Sequence, residues 1–415
     1  MKIGYVLLDG CADRPNPKLN FTTPLEAAFT PNLDEIASRS RLGRVVTVRR
    51  GVAPESDIAV FNMLGYSFDQ GYPGRGVVEA VGAGVDLERG DLALRANFAS
   101  VVGRRIVDRR AGRNLTEAEA LRLSEDLKTI KLRDAEFEFR PTISYRGVLV
   151  IRSRGGLSAG ITNTDPAYAK VGGFGAARPT KTNERVLECR PESDDPAARL
   201  AARLVNEFTA KSLVVLASSD VNRERKREGK VPANAILLRD AGDHVPQVEP
   251  FETKYGMKGT AVVEMPAEVG IARILRMKMV EVADRKDIRE KASLFTRELH
   301  EGTVVYVHIK GPDEFGHDGD AVGKKKSIEE IDRGFFSTVK DDGSDIRLGV
   351  SCDHATPCTM MMHSSDPVPL LITGGQKRDA KRFTERGARR GSLGLLQGRD
   401  VLARVAEGPF RRRTS

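Results

Sequence analysis

Tryptophan is absent, and aromatic residues make up only 6% of the 415 positions. Platforms on which nucleobases could stack are therefore scarce. The formal charge of +9, from 67 Lys and Arg against 58 Asp and Glu, would otherwise suit a polyanion. Basic residues are spread along the chain, with local runs only at RERKREGK (223–230) and RRR (411–413), so neither nucleic acid nor a membrane surface is expected as a partner. A small phosphorylated ligand fits this charge better. Cysteine is also sparse. Cys11, Cys189, Cys352 and Cys358 show no CxxC spacing and are too few for a disulfide framework, which leaves them as packing residues.

No apolar run approaches the roughly 18–20 residues needed to span a bilayer. The opening MKIGYVLLDG has one lysine and a short apolar run, which Asp9 interrupts before a signal-peptide core is complete, so a cytoplasmic address is expected. What is present is 40% hydrophobic and 30% charged residues, the balance of a globular chain and one that suits an ion-pair-laced thermophilic surface. At this length two domains are expected, each with its own core.

The segment KIGYVLL reads as a buried strand ending in Asp-Gly, and TPNLDEIASRS and GRGVVEAVGAG (74–84) read as helices. From about residue 86 to 230 the texture changes to strands and long loops, among them IVDRRAGRN and the Gly-rich GGFGAARPT, with helices near 116–126 and 196–208. Strand-helix alternation resumes with NAILLRDAG (234–242) and runs through TVVYVHIKGPD, IRLGVSCDH and VPLLIT. The pattern predicts an α/β fold: a mostly parallel sheet with helices on both faces, plus an inserted α+β domain. Residues 1–85 and 231–415 would form one discontinuous core and residues 86–230 the insert.

Three apolar strands end in metal-ligand residue types. Asp9 follows the first, Asp313 and His317 follow the second, Asp353 and His354 follow the third, and His363 lies nine positions beyond His354. In an open α/β sheet the ligand crevice lies outside the carboxyl ends of the strands, where residues distant in sequence converge. A strand-end Asp alone is commonly a turn former, and an i,i+4 Asp–His pair is commonly a surface pair. Recurrence after three separate strands favours a site. Carboxylates with imidazoles suit Zn²⁺ or Mn²⁺, and a set this rich readily holds two ions. Ser56, in PESDIA, is either an ordinary helix N-cap before a helix starting at Asp57 or a nucleophile, and local sequence does not choose. A divalent ion beside it would activate its hydroxyl, and the N–H groups of a helix start would suit a phosphoryl group.

Longer motifs, among them DGCADRP, TPLEAAFTPNLDEIA, ESDIAVFNMLGY, TNTDP, VEPFETKYGMKG, HIKGPDEFGHDGD, DHATPC and FTERGARRGSLG, resemble the archaeal-type 2,3-bisphosphoglycerate-independent phosphoglycerate mutases of the alkaline phosphatase superfamily. The resemblance runs through nearly the whole chain. It implies a phosphatase-like core, an inserted substrate-binding and phosphotransfer domain, and a cleft that closes on substrate. Ser56 would be the phosphoacceptor in an isomerase interconverting 3-phosphoglycerate and 2-phosphoglycerate, a step shared by glycolysis and gluconeogenesis. Asp9, Ser56, Asp353 and His354 would hold one metal and Asp313, His317 and His363 the other. The ions would be manganese or zinc, with magnesium and cobalt as further candidates, and no 2,3-bisphosphoglycerate would be needed.

Retaining glycerate through such a cycle calls for basic forks. Arg109, Arg110, Arg113, Arg239 and Lys310 are the candidates for substrate binding, and Asp108 is the candidate acid or base. Two segments depart from the family pattern. Glu55 and Ile58 stand where Gly-Ser-Asp-Thr-Ala is usual, and Ser219-Asp220 replaces a His-Pro. The alternatives are a metal-dependent phosphohydrolase, a mutase for another phosphorylated metabolite, and a basic binding protein without catalysis. The phosphohistidine motif of cofactor-dependent mutases, Arg-His-Gly, occurs nowhere. Homo-oligomerisation stays open.

Overall fold

The computed structural model describes residues 1–68, 72–171, 174–177, 184–339, 346–374, 378–379 and 381–407. The RRR run at 411–413 and most of GGFGAARPT lie outside them. The chain forms two compact units. One comprises Met1–Gln70, Val248–Glu264 and Leu275–Ser415, and the other Gly71–Gln247 with Met265–Ile274.

The first unit is an α/β structure on an eight-stranded sheet. Its strands run, edge to edge, Lys278–Glu281, Lys258–Val263, Thr303–Ile309, Lys2–Leu8, Ile346–Cys352, Val368–Thr373, Ser40–Val46 and Gly394–Gln397. Only Val368–Thr373 runs antiparallel to its neighbours, so the sheet is mostly parallel as expected. Lys2–Leu8 is buried from Ile3 onwards, which explains its unbroken apolar run: a strand covered on both faces shows no alternation. Its register pairs Leu8 with both Ile309 and Cys352. The residues that follow these three partners, Asp9, Lys310 and Asp353, therefore leave the sheet side by side.

The second unit holds a five-stranded antiparallel sheet centred on Leu92–Val102, which pairs with Arg105–Asp108, Arg146–Arg152 and Ala235–Gly242. The helix Pro196–Ser218 extends ten residues further than the sequence reading, which ended it near 208, and its Phe208 packs edge-on against Phe137 at 5.1 Å. The apolar run NAILLRDAG predicts a return to the parallel core, but Ala235–Gly242, buried at every residue, pairs antiparallel with Leu92–Val102. Burial specifies two covered faces and leaves the pairing partner open. The helix Arg75–Gly82 and the helix Pro266–Ile274 also belong to this unit, so its limits differ from the 86–230 drawn on sequence. The two helices cross at backbone contact. A Cβ on Gly82 would lie 1.7 Å from the Pro266 carbonyl oxygen, and one on Gly270 1.9 Å from that of Val78.

Candidate active site

Ser56 is the first residue of the helix Ser56–Met63, and the N-cap is Glu55, whose side chain makes no capping bond. The capping alternative for Ser56 is thereby removed. Its hydroxyl instead faces His354, with Oγ 3.1 Å from Nε2.

Around that point the strand ends deliver their donors. His354 Nε2 is 3.2 Å from Asp353 Oδ2 and 3.5 Å from Asp9 Oδ1. Asp353 is oriented through its other oxygen, which accepts from the backbone N–H groups of Gly10 and His354, each at 3.0 Å. Gly10 adopts φ +56, and a Cβ there would meet Asp313 Oδ1 at 2.5 Å and Thr356 Oγ1 at 2.6 Å. The loop after the first strand thus admits only glycine at this position.

A second group lies alongside. His317 Nε2 is 3.5 Å from Asp313 Oδ2, His363 Nε2 is 3.6 Å from Asp313 Oδ1, and the two imidazole Nε2 atoms are 3.2 Å apart. The Nδ1 of His363 faces the Pro54 carbonyl at 2.8 Å and that of His317 faces the Met361 carbonyl at 3.2 Å. A carbonyl only accepts, so Nδ1 carries the proton in each ring and the two Nε2 lone pairs converge. Two converging lone pairs need a cation between them.

The spacings fit a divalent ion. Donors about 2.0–2.2 Å from a tetrahedral ion stand roughly 3.3–3.6 Å from one another, close to the separations in both groups. Asp313, His317 and His363 form one set able to hold a metal, Asp9, Asp313 and His354 a second, and Asp9, His308 and Asp353 a third. All seven residues singled out on sequence for metal binding are brought together here. His308 was missed, because it lies inside its strand, one residue before the strand end, where an imidazole reads as core.

Burial pushes the Asp9 carboxyl up, an effect that Lys310 opposes and Asp353 and Asp313 reinforce. Burial acts the same way on Asp353 and Asp313 but loses to the imidazoles. His354 and His308 hold Asp353 well below the usual carboxylate range, and His363, His354 and His317 do the same for Asp313. Burial would lower His363, yet with no ion between the rings Asp313, then Glu55 and the Pro54 carbonyl, bring it to about 10, so an ion bound at Nε2 would take the place of a proton there. Glu55 therefore adds negative potential beside this imidazole. Lys310, a substrate candidate on sequence, stands with Nζ 3.2 Å from Asp9 Oδ2 and 3.1 Å from His308 Nδ1.

The other sequence candidates lie in the second unit. Arg109 grips Asp165 with two nitrogens, one at 3.0 Å, and Arg239 reaches the same carboxylate at 3.1 Å. Both guanidinium groups lie over the Tyr168 ring, at 5.3 and 4.2 Å from its centre. Asp108 accepts from the Arg110 backbone N–H at 2.7 Å, while Arg110 is half-buried and Arg113 exposed. The loop carrying them has three successive positive φ values, at Ala111, Gly112 and Arg113. It is held by the fully buried Arg225, which donates to the Ala111 carbonyl, Asn114, Glu119 and the Val231 carbonyl. Asp165 and Tyr168 were missed as site residues, although TNTDP contains the first of them.

Behind Arg239 the buried charges continue through Asp240 and Arg95 to Glu79. Burial would raise the Glu79 carboxyl, but Arg95, Arg75, Arg146 and Arg239 bring it down to about 2 from 4.5. Folding thus favours the ionised form. That contribution is full above pH 4.5, falls as the pH drops, and is gone below about 2. Glu79→Gln should flatten this part of the acid-stability profile, read as the thermal midpoint between pH 5 and 2.5; an unchanged slope would exclude Glu79 as its source.

A mostly parallel sheet that converges carboxylates, imidazoles and one serine hydroxyl at its strand ends defines a candidate divalent-cation centre in an α/β enzyme. A family model described as 2,3-bisphosphoglycerate-independent phosphoglycerate mutase matches residues 37–222. The chain is 44% identical to the 2,3-bisphosphoglycerate-independent phosphoglycerate mutase of Aeropyrum pernix, over 96% of this chain and 97% of that one. A solved structure of the cofactor-independent phosphoglycerate mutase from Thermoplasma acidophilum is 31% identical with a TM-score of 0.60, covering 97% of this chain and 98% of that one. A solved structure of a Pyrococcus horikoshii protein is 29% identical with a TM-score of 0.76, covering 99% and 98%. The chain belongs to the 2,3-bisphosphoglycerate-independent phosphoglycerate mutase family. Among the described residues no helix is long and apolar enough to cross a membrane.

Proposed function

We propose that the chain interconverts 3-phosphoglycerate and 2-phosphoglycerate without 2,3-bisphosphoglycerate, through a phosphoserine on Ser56 beside two divalent ions. The observation that carries the proposal is the Ser56 hydroxyl, left out of the helix cap and 3.1 Å from His354 Nε2 amid converging sets of metal donors. Asp9, Asp353, His354 and Ser56 would hold one ion and Asp313, His317 and His363 the other, with manganese and zinc the best chemical match. Bound there, the ions would lower the pKa of the serine hydroxyl and offset the charge of the transferring phosphoryl group.

The chain's own residues supply the rest. Ser56 Oγ forms a bond to phosphorus as the ester P–O bond breaks, and the departing glycerate oxygen takes up a proton, for which Asp108 is the candidate donor. The glycerate reorients and its other hydroxyl, giving its proton back to Asp108, bonds to phosphorus as the Ser56 Oγ–P bond breaks, which regenerates Ser56. Arg109, Arg110, Arg113, Arg239 and Lys310 are assigned to the substrate's carboxylate and phosphate, since guanidinium forks match both bidentately. Water must be kept out while the phosphoserine waits, or hydrolysis replaces transfer.

The test couples the metal-loaded chain to enolase with 3-phosphoglycerate and no added bisphosphoglycerate, while free phosphate is measured. Formation of 2-phosphoglycerate with little phosphate is expected. Phosphate released without 2-phosphoglycerate would make the protein a phosphohydrolase.

A further inference from the structure

Two imidazoles bring Nε2 to the same carboxylate oxygen, Asp353 Oδ2: His354 at 3.2 Å and His308 at 3.3 Å. Their other nitrogens have neighbours of opposite hydrogen-bonding character. Asp313 Oδ1 is a carboxylate oxygen that only accepts, so the Thr356 hydroxyl, 2.6 Å away, donates to it. The Thr356 oxygen is then free to accept from His354 Nδ1–H at 3.1 Å. The proton of His354 is thereby placed on Nδ1, and its Nε2 presents a lone pair toward Ser56, Asp353 and Asp9.

At His308 the polarity reverses. Lys310 is an ammonium ion-paired to Asp9 Oδ2 at 3.2 Å, and an ammonium only donates. Its Nζ lies 3.1 Å from His308 Nδ1, which must accept, leaving the His308 proton on Nε2, 3.3 Å from Asp353 Oδ2 and 3.7 Å from Asp9 Oδ1.

We infer that Thr356 is a positioning residue that makes His354 a metal ligand through Nε2 and ties it to the neighbouring Asp313 group, whereas His308, whose Nε2 carries its proton, is no ligand and only sets a positive edge beside Asp353. This rests on the two-ion reading above. Thr356 is well placed for the role. It is fully buried, its N–H donates to the Ala12 carbonyl at 3.1 Å, and its own carbonyl accepts from Lys324 Nζ at 2.9 Å. Lys324 is in turn paired with the buried Asp13 at 2.8 Å. The loops after the first strand and after Ile346–Cys352, both carrying ligand candidates, are therefore held to one buried cation, and the Thr356 hydroxyl has a fixed backbone behind it.

The chain contains only six histidines, so ¹⁵N-histidine labelling with zinc loading allows long-range ¹H–¹⁵N spectra to read each ring's tautomer. Signals are assigned with His308→Gln and His354→Gln. His354 is expected to be protonated at Nδ1 with Nε2 shifted by zinc, and His308 to be protonated at Nε2 with no zinc shift. Thr356→Val, which keeps the shape and removes the hydroxyl, should weaken zinc binding by about 10–100-fold, and Thr356→Ser should restore it. A zinc-shifted Nε2 on His308, or full affinity in Thr356→Val, overturns the inference. If the unmodified chain takes up no divalent ion, the two-ion reading falls and this inference with it. If it binds zinc and Thr356→Val binds equally well, only this inference fails. Should Thr356→Val not fold, the spectrum of the unmodified chain decides.

Discussion

Ser56→Ala is expected to cut the interconversion of the two phosphoglycerates by at least about 10⁴-fold, because removing a nucleophile leaves only binding and electrostatics to act. The fold should survive. Ser56 is the first helical residue with no capping role, its hydroxyl contacts only His354 among the bonds described, and alanine is a good helix former. Unchanged circular dichroism and a melting temperature within about 2 °C of the parent would separate loss of chemistry from loss of structure. The same variant should keep its affinity for zinc or manganese to within about 100-fold, since the carboxylates and imidazoles remain. Retained turnover in Ser56→Ala would remove the residue from the mechanism.

Stripping divalent ions with a chelator should abolish turnover and lower the melting temperature, and restoring Mn²⁺ or Zn²⁺ should reverse both. Asp9 feels Asp353 and Asp313 as well as burial, so without an ion three carboxylates are crowded together with only imidazoles and Lys310 to offset them. An ion at 100 times its dissociation constant adds about 2.7 kcal/mol to the folded state, so the midpoint should climb with ion concentration. Full activity in the chelator with no change in melting would contradict a metal centre on these residues.

The convergence of the strand-end residues was legible in the sequence because of one physical regularity. In a parallel sheet every strand ends at the same edge, and the register of Leu8 with Ile309 and Cys352 turns three separate strand-end motifs into one site. His308 and Thr356 were hidden for the complementary reason. An imidazole within an apolar strand and a threonine in a loop have no sequence signal, and part of what surrounds them comes from residues more than 40 positions away, such as Asp353 beside His308 and Asp313 beside Thr356. Glu55 began as an unexplained departure from the family pattern. It now has a physical effect, adding negative potential beside His363.

Unit limits were the least legible feature. Ala235–Gly242 is apolar enough for either sheet, and the pairing with Leu92–Val102 that assigns it to the second unit is a property of three-dimensional register. The helix Pro266–Ile274 was misplaced for a related reason. It lies in sequence between two strands of the large sheet, and only the close backbone approach at Gly82 and Gly270 shows where it packs.

The central claim is that the phosphoryl group passes through Ser56. Quenching the metal-loaded chain in acid during turnover of 3-phosphoglycerate, then mapping phosphate by peptide mass spectrometry, tests it directly, because phosphoserine survives acid and phosphohistidine does not. Phosphate on the peptide containing Ser56 is the expected result. A quenched chain carrying no phosphate there, while 2-phosphoglycerate is still being made, would contradict it.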